Sequence, residues 1–193
     1  MKLALLAVAF TLLAACSSVP IQTPGADRQE IQRNAYLQSH SDWAFKGRVA
    51  YSHQGQGGSA QISWRQSGRQ SDVRITAPLA MGSARILFDE DHAQLFDASD
   101  RVLKSGRPDV LLAELLNMPI SADALIDGLR AYWPDSPEHT LFAAAGSVQA
   151  AEWMWQYSQW FDQPVRLPKK IEVSREQTRL RIIIDQWQET PGG

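Results

Sequence analysis

The chain is poor in the features on which most chemistry depends. Among 193 residues there is one cysteine, Cys16, which therefore has no partner for an intramolecular disulfide. There is no excess of one charge: 19 Lys and Arg stand against 21 Asp and Glu, for a formal charge of −2. Without a basic face or a block of like charge, nucleic acid is not expected as a partner. The four histidines, His40, His53, His92 and His139, lie far apart with no metal-like neighbour at short spacing. Gly55 to Gly58 is glycine-rich, but the lysine-serine and helix start of a phosphate cradle do not follow it. Asp89, Glu90 and Asp91 fit a solvated turn better than an acid–base pair. No Gly-x-Ser-x-Gly nucleophile motif occurs. These absences weigh against an enzyme, and no cofactor or metal is expected.

What is present begins at the N-terminus. Lys2 precedes an apolar run from Leu3 to Leu13, shorter than the ~20 residues of a membrane-spanning helix. This is the grammar of an export signal. The run closes on Leu13-Ala14-Ala15-Cys16, the small-residue pattern of a lipobox. Residues 1–15 thus read as a lipoprotein signal peptide and Cys16 as the lipidated first residue of the mature chain. Residues 16–26 contain Pro20, Pro24 and Gly25 among small polar residues and read as a flexible tether. Residues 27–193 are then one domain, long enough for a substantial core.

A short helix is expected over Asp27 to His40. From Trp43 the period becomes two: Trp43, Phe45, Gly47, Val49 and Tyr51 share one face and Lys46 and Arg48 the other. Gln54 to Gly58 makes a turn, after which Ala60, Ile62 and Trp64 alternate with polar residues. Val73 and Ile75, then Ala84, Ile86 and Phe88, continue the pattern on either side of Pro78 and Gly82. Between Pro108 and Tyr132 the spacing turns helical, in two segments broken at Met118-Pro119, with Pro108 suited to a first helical position and Ser121 to an N-cap. Leu111, Leu112, Leu115 and Leu116 give the first segment an apolar face, and Leu125 and Leu129 the second. Strands return with Trp153, Trp155 and Tyr157, with Ile171 and Val173, and with Leu180, Ile182 and Ile184. The order predicts a mainly β protein with some α structure: one curved antiparallel sheet with helices on its concave side.

Several words along the chain together resemble the LolB family of outer-membrane lipoproteins. Gly47-Arg48-Val49-Ala50-Tyr51 is similar to its opening strand and Gly58 to Gln66, with Trp64, to its second. Ala77-Pro78-Leu79 followed by Gly82 resembles its Pro-Leu-Gly loop, Met118-Pro119-Ile120 its interhelical break, and Leu180 to Trp187 its last strand. Three positions depart from the pattern: Ala80 stands where the loop often has glycine, Ser121 replaces a second proline, and Gly128 lies where a helix tryptophan is common.

The resemblance implies a half-open antiparallel β-barrel with a helical lid over an apolar cavity. It implies an acceptor held by its own lipid in the outer membrane and facing the periplasm. Such a protein takes lipidated proteins from the soluble carrier LolA and releases them into the phospholipid of that membrane. On this reading Cys16 carries the lipid. Ser17, which is not the aspartate of inner-membrane retention, sorts the protein outward. Pro78, Leu79, Ala80, Met81 and Gly82 form a membrane-insertion loop, with Leu79 at its tip. Ile62, Trp64, Ile75, Ile86 and Phe88 of the sheet, with Leu112, Leu115 and Leu116 of the lid, line the acyl site, and the protein acts as a monomer. Without the resemblance, the same apolar residues read equally well as a packed core. A lipid-anchored scaffolding protein of the envelope is then the alternative function.

Overall fold

In the computed structural model the described residues are 24–78, 82–116, 118–133, 139–142, 146–150 and 152–189. Within them α1 (Pro24–Ser39) leads into six strands, β1 (Trp43–His53), β2 (Gln56–Ser67), β3 (Gln70–Thr76), β4 (Ser83–Phe88), β5 (Ala93–Phe96) and β6 (Val102–Gly106). Two helices follow, α2 (Pro108–Leu116) and α3 (Ala122–Arg130). The chain then returns through β7 (His139–Phe142), β8 (Ser147–Ala150), β9 (Trp153–Phe161), β10 (Leu167–Arg175) and β11 (Thr178–Glu189). All eleven strands belong to one antiparallel sheet, ordered β6-β5-β4-β3-β2-β1-β11-β10-β9-β8-β7. β11 pairs with β1 from Trp43↔Glu189 to His53↔Thr178, which joins the two meanders at the centre. β6 and β7 remain at the margins, so the barrel is incomplete.

The hydrophobic period explains the layers. Phe45, Ile62, Trp64, Val73, Ile86, Trp155, Ile171, Ile182 and Ile184 are buried in one cluster with Leu111, Leu112, Leu125 and Leu129 of the helices. The helices therefore cover the inward face of the sheet. Their boundaries follow the local signals. Pro108 opens α2, and Ser121 caps α3, its side chain accepting from the Ala124 N–H at 3.2 Å. Asp109 of α2 accepts from the Ala122 N–H at 2.9 Å, so the two helices share a cap across the break. At Gly47 the register with β11 shifts, and a Cβ there would meet the Ile183 carbonyl oxygen at 2.3 Å, so only glycine allows this approach.

The structure revises the expected boundaries in three places. α1 starts at Pro24, so residues 24–26 of the segment read as a tether are its first turn. The first hairpin turn is two residues, Gln54 and Gly55, both with positive φ (51° and 78°), and Gly57 and Gly58 already belong to β2. β5 to β8 were not foreseen as strands. All four are four or five residues long, too short to display a period.

Antiparallel order sorts the turns into two ends. Turns 54–55 and 176–177 and the 77–82 connection lie at one end of the strands, and turns 68–69, 89–92 and 162–166 at the other.

Candidate functional site

Inside the sheet, packed aromatics and open space divide the interior. At the 162–166 end the inward residues are large aromatics in contact. Trp43 stacks on Phe45 and Trp64 with ring centroids 6.2 and 6.0 Å apart, and Trp187 meets Trp43 and Phe45 edge-on at 5.8 and 5.4 Å. A second packed group lies on the β9 side of the sheet, level with Val49 and Tyr51 through the pairings Trp155↔Val173, Val173↔Leu180 and Leu180↔Tyr51, where Trp133 packs on Trp155 at 5.4 Å. Trp155 is fully buried against Gly128, where a Cβ would lie 2.3 Å from its ring. Gly128 is thus the room in which Trp155 fits. The Tyr157 hydroxyl closes the region, accepting from Trp133 Nε1 at 3.0 Å and donating to the Gly128 carbonyl at 2.8 Å. Burial pushes its pKa well above the ordinary tyrosine value, so it remains a neutral donor.

Toward the 77–82 end of β1 to β4 and β11 the inward residues, Tyr51 apart, are aliphatic or small, and a cavity of about 350 Å³ opens between sheet and helices. Its volume falls in the ~300–1,000 Å³ range of small-molecule sites. Ile62, Trp64, Ile75, Ile86, Leu112, Leu115 and Leu116, all expected from sequence, line it together. Phe88, the eighth, does not. It faces inward but beside Ser71 and Ala93, at the filled end, with its ring edge-on to Trp64 at 5.7 Å. Val49, Tyr51, Val73, Leu125, Leu129, Leu180 and Ile182 complete the wall. They stand in the alternation and helix faces already legible in the sequence, but alternation does not tell which inward residues border a void. No charged side chain lines the cavity. Among the described residues no group of three His, Cys, Asp or Glu side chains could hold a metal ion.

Trp64 forms the floor between the two regions. Its indole N–H donates to Gln66 Oε1 at 3.3 Å, and Gln66 in turn accepts from Ser71 Oγ and donates to the Gly68 carbonyl at 2.9 Å. A buried polar chain thus fixes the ring at the boundary. Leu115 is 41% exposed although it lines the cavity, which puts it at the mouth.

The base of the 77–82 connection adjoins that mouth. The Ala77 N–H donates to the Gly82 carbonyl at 3.0 Å, and Gly82 adopts φ +110°, open only to glycine. Ala60, Ser59 and Ala77 line the cavity and also a shallower depression of about 420 Å³ that reaches Pro78. Leu79, Ala80 and Met81, like Cys16 and Ser17, lie outside the described residues. Among the described residues no helix is long and apolar enough to cross a membrane.

Comparison with known proteins decides the family. The model of the family described as outer membrane lipoprotein LolB matches residues 41–187. The chain belongs to the LolB family. It is 31% identical to the outer-membrane lipoprotein LolB of Xanthomonas euvesicatoria, covering 93% of this chain and 92% of that protein. It is 30% identical to that of Xylella fastidiosa strain Temecula1, covering 96% and 92%. The fold is also that of a LolA superfamily protein from Nitrosomonas europaea, with a TM-score of 0.54 at 10% identity, covering 85% of this chain and 93% of that one. The LolB assignment makes this a lipid-anchored protein of the outer membrane.

Proposed function

We propose that this LolB-family protein receives lipidated proteins from the periplasmic carrier LolA, shelters their acyl chains in the aliphatic cavity, and releases them into outer-membrane phospholipid. The observation that carries the reading is the cavity itself, walled by aliphatic residues of β1 to β4, β11, α2 and α3 and free of charge. Each methylene moved from water to such a wall gains about 0.8 kcal/mol. Acyl chains with tens of methylenes therefore cannot cross an aqueous compartment unshielded. The cavity needs no polar anchor for such a cargo, and the protein acts as a monomer in this scheme.

In this scheme Cys16 holds the protein in the membrane through its own lipid and Ser17 directs it there. Leu79, with Met81, supplies apolar residues that enter the bilayer when cargo leaves. Burying one leucine contributes about 1.5–3 kcal/mol, enough to bias delivery and too little to anchor a protein. The test separates the two steps. Cargo-loaded carrier is mixed first with the protein alone and then with liposomes. Leu79→Glu is expected to leave uptake within about twofold while stopping release. Equal loss of both steps, or normal release, removes Leu79 from this role. If acylated peptide fails to displace an apolar dye from the cavity, the acceptor reading itself falls and the scaffolding alternative takes its place.

A further inference from the structure

The end of the strands remote from the mouth carries a second surface. Here α1 meets the β9–β10 hairpin: Gln29 Oε1 accepts from Arg166 at 2.9 Å. The Arg166 guanidinium lies 4.7 Å from the Trp160 ring centre and that of Arg33 lies 5.5 Å from the same ring, while Lys169 Nζ stands 5.5 Å from the Phe161 ring. Beside Trp160 is an open depression of about 630 Å³, bordered by Gln29, Ser158, Gln159, Arg166 and Lys169, with Asp162 also on its edge. Arg33 lies beneath, only 6% exposed, with Glu30 3.7 Å away and no acceptor for its Nε. Burial is the main reason its proton is held less tightly than usual, and the Arg166 charge acts in the same direction. Three cations, Arg33, Arg166 and Lys169, gather here against two carboxylates, Glu30 and Asp162, in a chain whose formal charge is −2. The site is short of anions, and its half-buried tryptophan among basic side chains has the composition of a membrane-interface belt.

We propose that this end docks on the phosphates of anionic phospholipids in the bilayer that holds the Cys16 lipid. The chain length between anchor and domain supports that occupant. Eight residue steps separate Cys16 from Pro24 and span at most about 29 Å even fully extended. Five helical residues onward to Gln29 add about 7.5 Å. The basic patch therefore cannot leave the neighbourhood of the anchor. The cavity mouth, by contrast, lies at the opposite strand ends, and the eleven residues of β1 rise about 36 Å. The protein so docked turns its mouth to the periplasm, where a soluble carrier can reach it. It must tip over on its tether to bring the mouth to the bilayer.

The inference rests on the acceptor reading and on lipidation at Cys16, and its test keeps them apart. The lipidated protein is reconstituted in vesicles of phosphatidylcholine, alone or mixed with phosphatidylglycerol. Cys16 is the only native cysteine and its thiol is alkylated when lipidated, so Gln159→Cys and Gln56→Cys each offer one labelling site, at opposite ends. Quenching by headgroup-labelled lipid is measured for each probe. A basic residue near an anionic surface contributes about fivefold in partitioning, so in phosphatidylglycerol the probe at 159 should be quenched several-fold more than that at 56. Arg166→Gln with Lys169→Gln should abolish the difference, and Arg166→Lys with Lys169→Arg should keep it. Equal quenching of the two wild-type probes, an unchanged difference in the Gln variant, the same difference without phosphatidylglycerol, or an unmodified Cys16 by mass spectrometry would each overturn the proposal. Delivery from carrier to vesicle, followed in the same samples, should survive the Gln variant. Lost delivery in a wild-type protein that still docks would count against the acceptor reading alone.

Discussion

One sheet builds two interiors. Where β1 begins, inward positions carry Trp43 and Phe45, packed with Trp64 and Trp187. Where it ends they carry Val49 and Tyr51, which border open space. The alternation is the same along the strand, and only side-chain volume changes. Trp43, Phe45, Trp64 and Trp187 meet one another, whereas Val49, Ile62, Ile75 and Ile182 stop short and leave a hollow under the leucines of α2 and α3. The filled end is then the part that holds the fold, and the hollow end can be spared for a ligand because its neighbour supplies the stability. This division makes unequal demands on mutations of equal size.

The sharpest test lies in the packed aromatics of β9, across the sheet from the hollow. Trp155→Ala removes a fully buried ring packed between Gly128 and Trp133. It should cost about 3–5 kcal/mol, the usual range for such a truncation, read as a fall in the urea midpoint. A cost below about 1.5 kcal/mol would mean that the β9 side is no better packed than the cavity side. At the hollow end the reverse substitution is informative. Ala60→Phe adds a ring to the cavity wall, where there is room for it. Unfolding free energy should change by less than about 1 kcal/mol, against the 1–3 kcal/mol typical of overpacking. Affinity for an acylated peptide should fall tenfold or more, about 1.4 kcal/mol. Stability lost with binding intact would show that the space is not the acyl site.

Trp64 lies on the border and reports on both regions. A variant retaining only that tryptophan should shift its emission when acylated peptide enters, because its ring is cavity floor on one side and aromatic stack on the other. An unchanged spectrum would place the ligand elsewhere.

How far these features could be read in the sequence follows from the same geometry. Alternation reports which face a residue takes, so the inward set from Trp43 to Ile184 was legible, as were the proline and serine that bound α2 and α3. Alternation is silent about height along the strand. Phe88 and Ile86 are neighbours of the same face, yet Ile86 borders the cavity and Phe88 joins the aromatic stack one pleat lower. The Arg33, Trp160 and Arg166 cluster was equally hidden. It joins α1 to a hairpin more than 120 positions away, and its helix shows a weak apolar stripe, with Ile31 68% exposed and Leu37 buried.

The smallest expected effect concerns the outer wall behind the cavity. Val73 and Ile86 face the hollow, so β3 and β4 there lack the dense inner packing of the aromatic end. On their outer side, Arg85 donates to both oxygens of Asp72, through Nε at 2.9 Å and a terminal nitrogen at 2.8 Å, with both side chains 28% exposed. These hydrogen bonds are the main reason the Asp72 carboxyl is held below the ordinary aspartate range, with the charges of Arg85, Arg74 and Arg65 assisting and partial burial opposing. A carboxyl whose folded pKa is depressed stabilises the fold above its unfolded pKa, about 3.9, and loses that contribution as pH falls through the lower folded value. Partly exposed as it is, the pair should contribute about 0.5–1 kcal/mol. Asp72→Asn is therefore expected to unfold at slightly lower urea than the wild type at pH 7, and the two curves should converge as the pH drops below about 3.9. A gap that persists unchanged into acid would assign the loss to packing rather than charge.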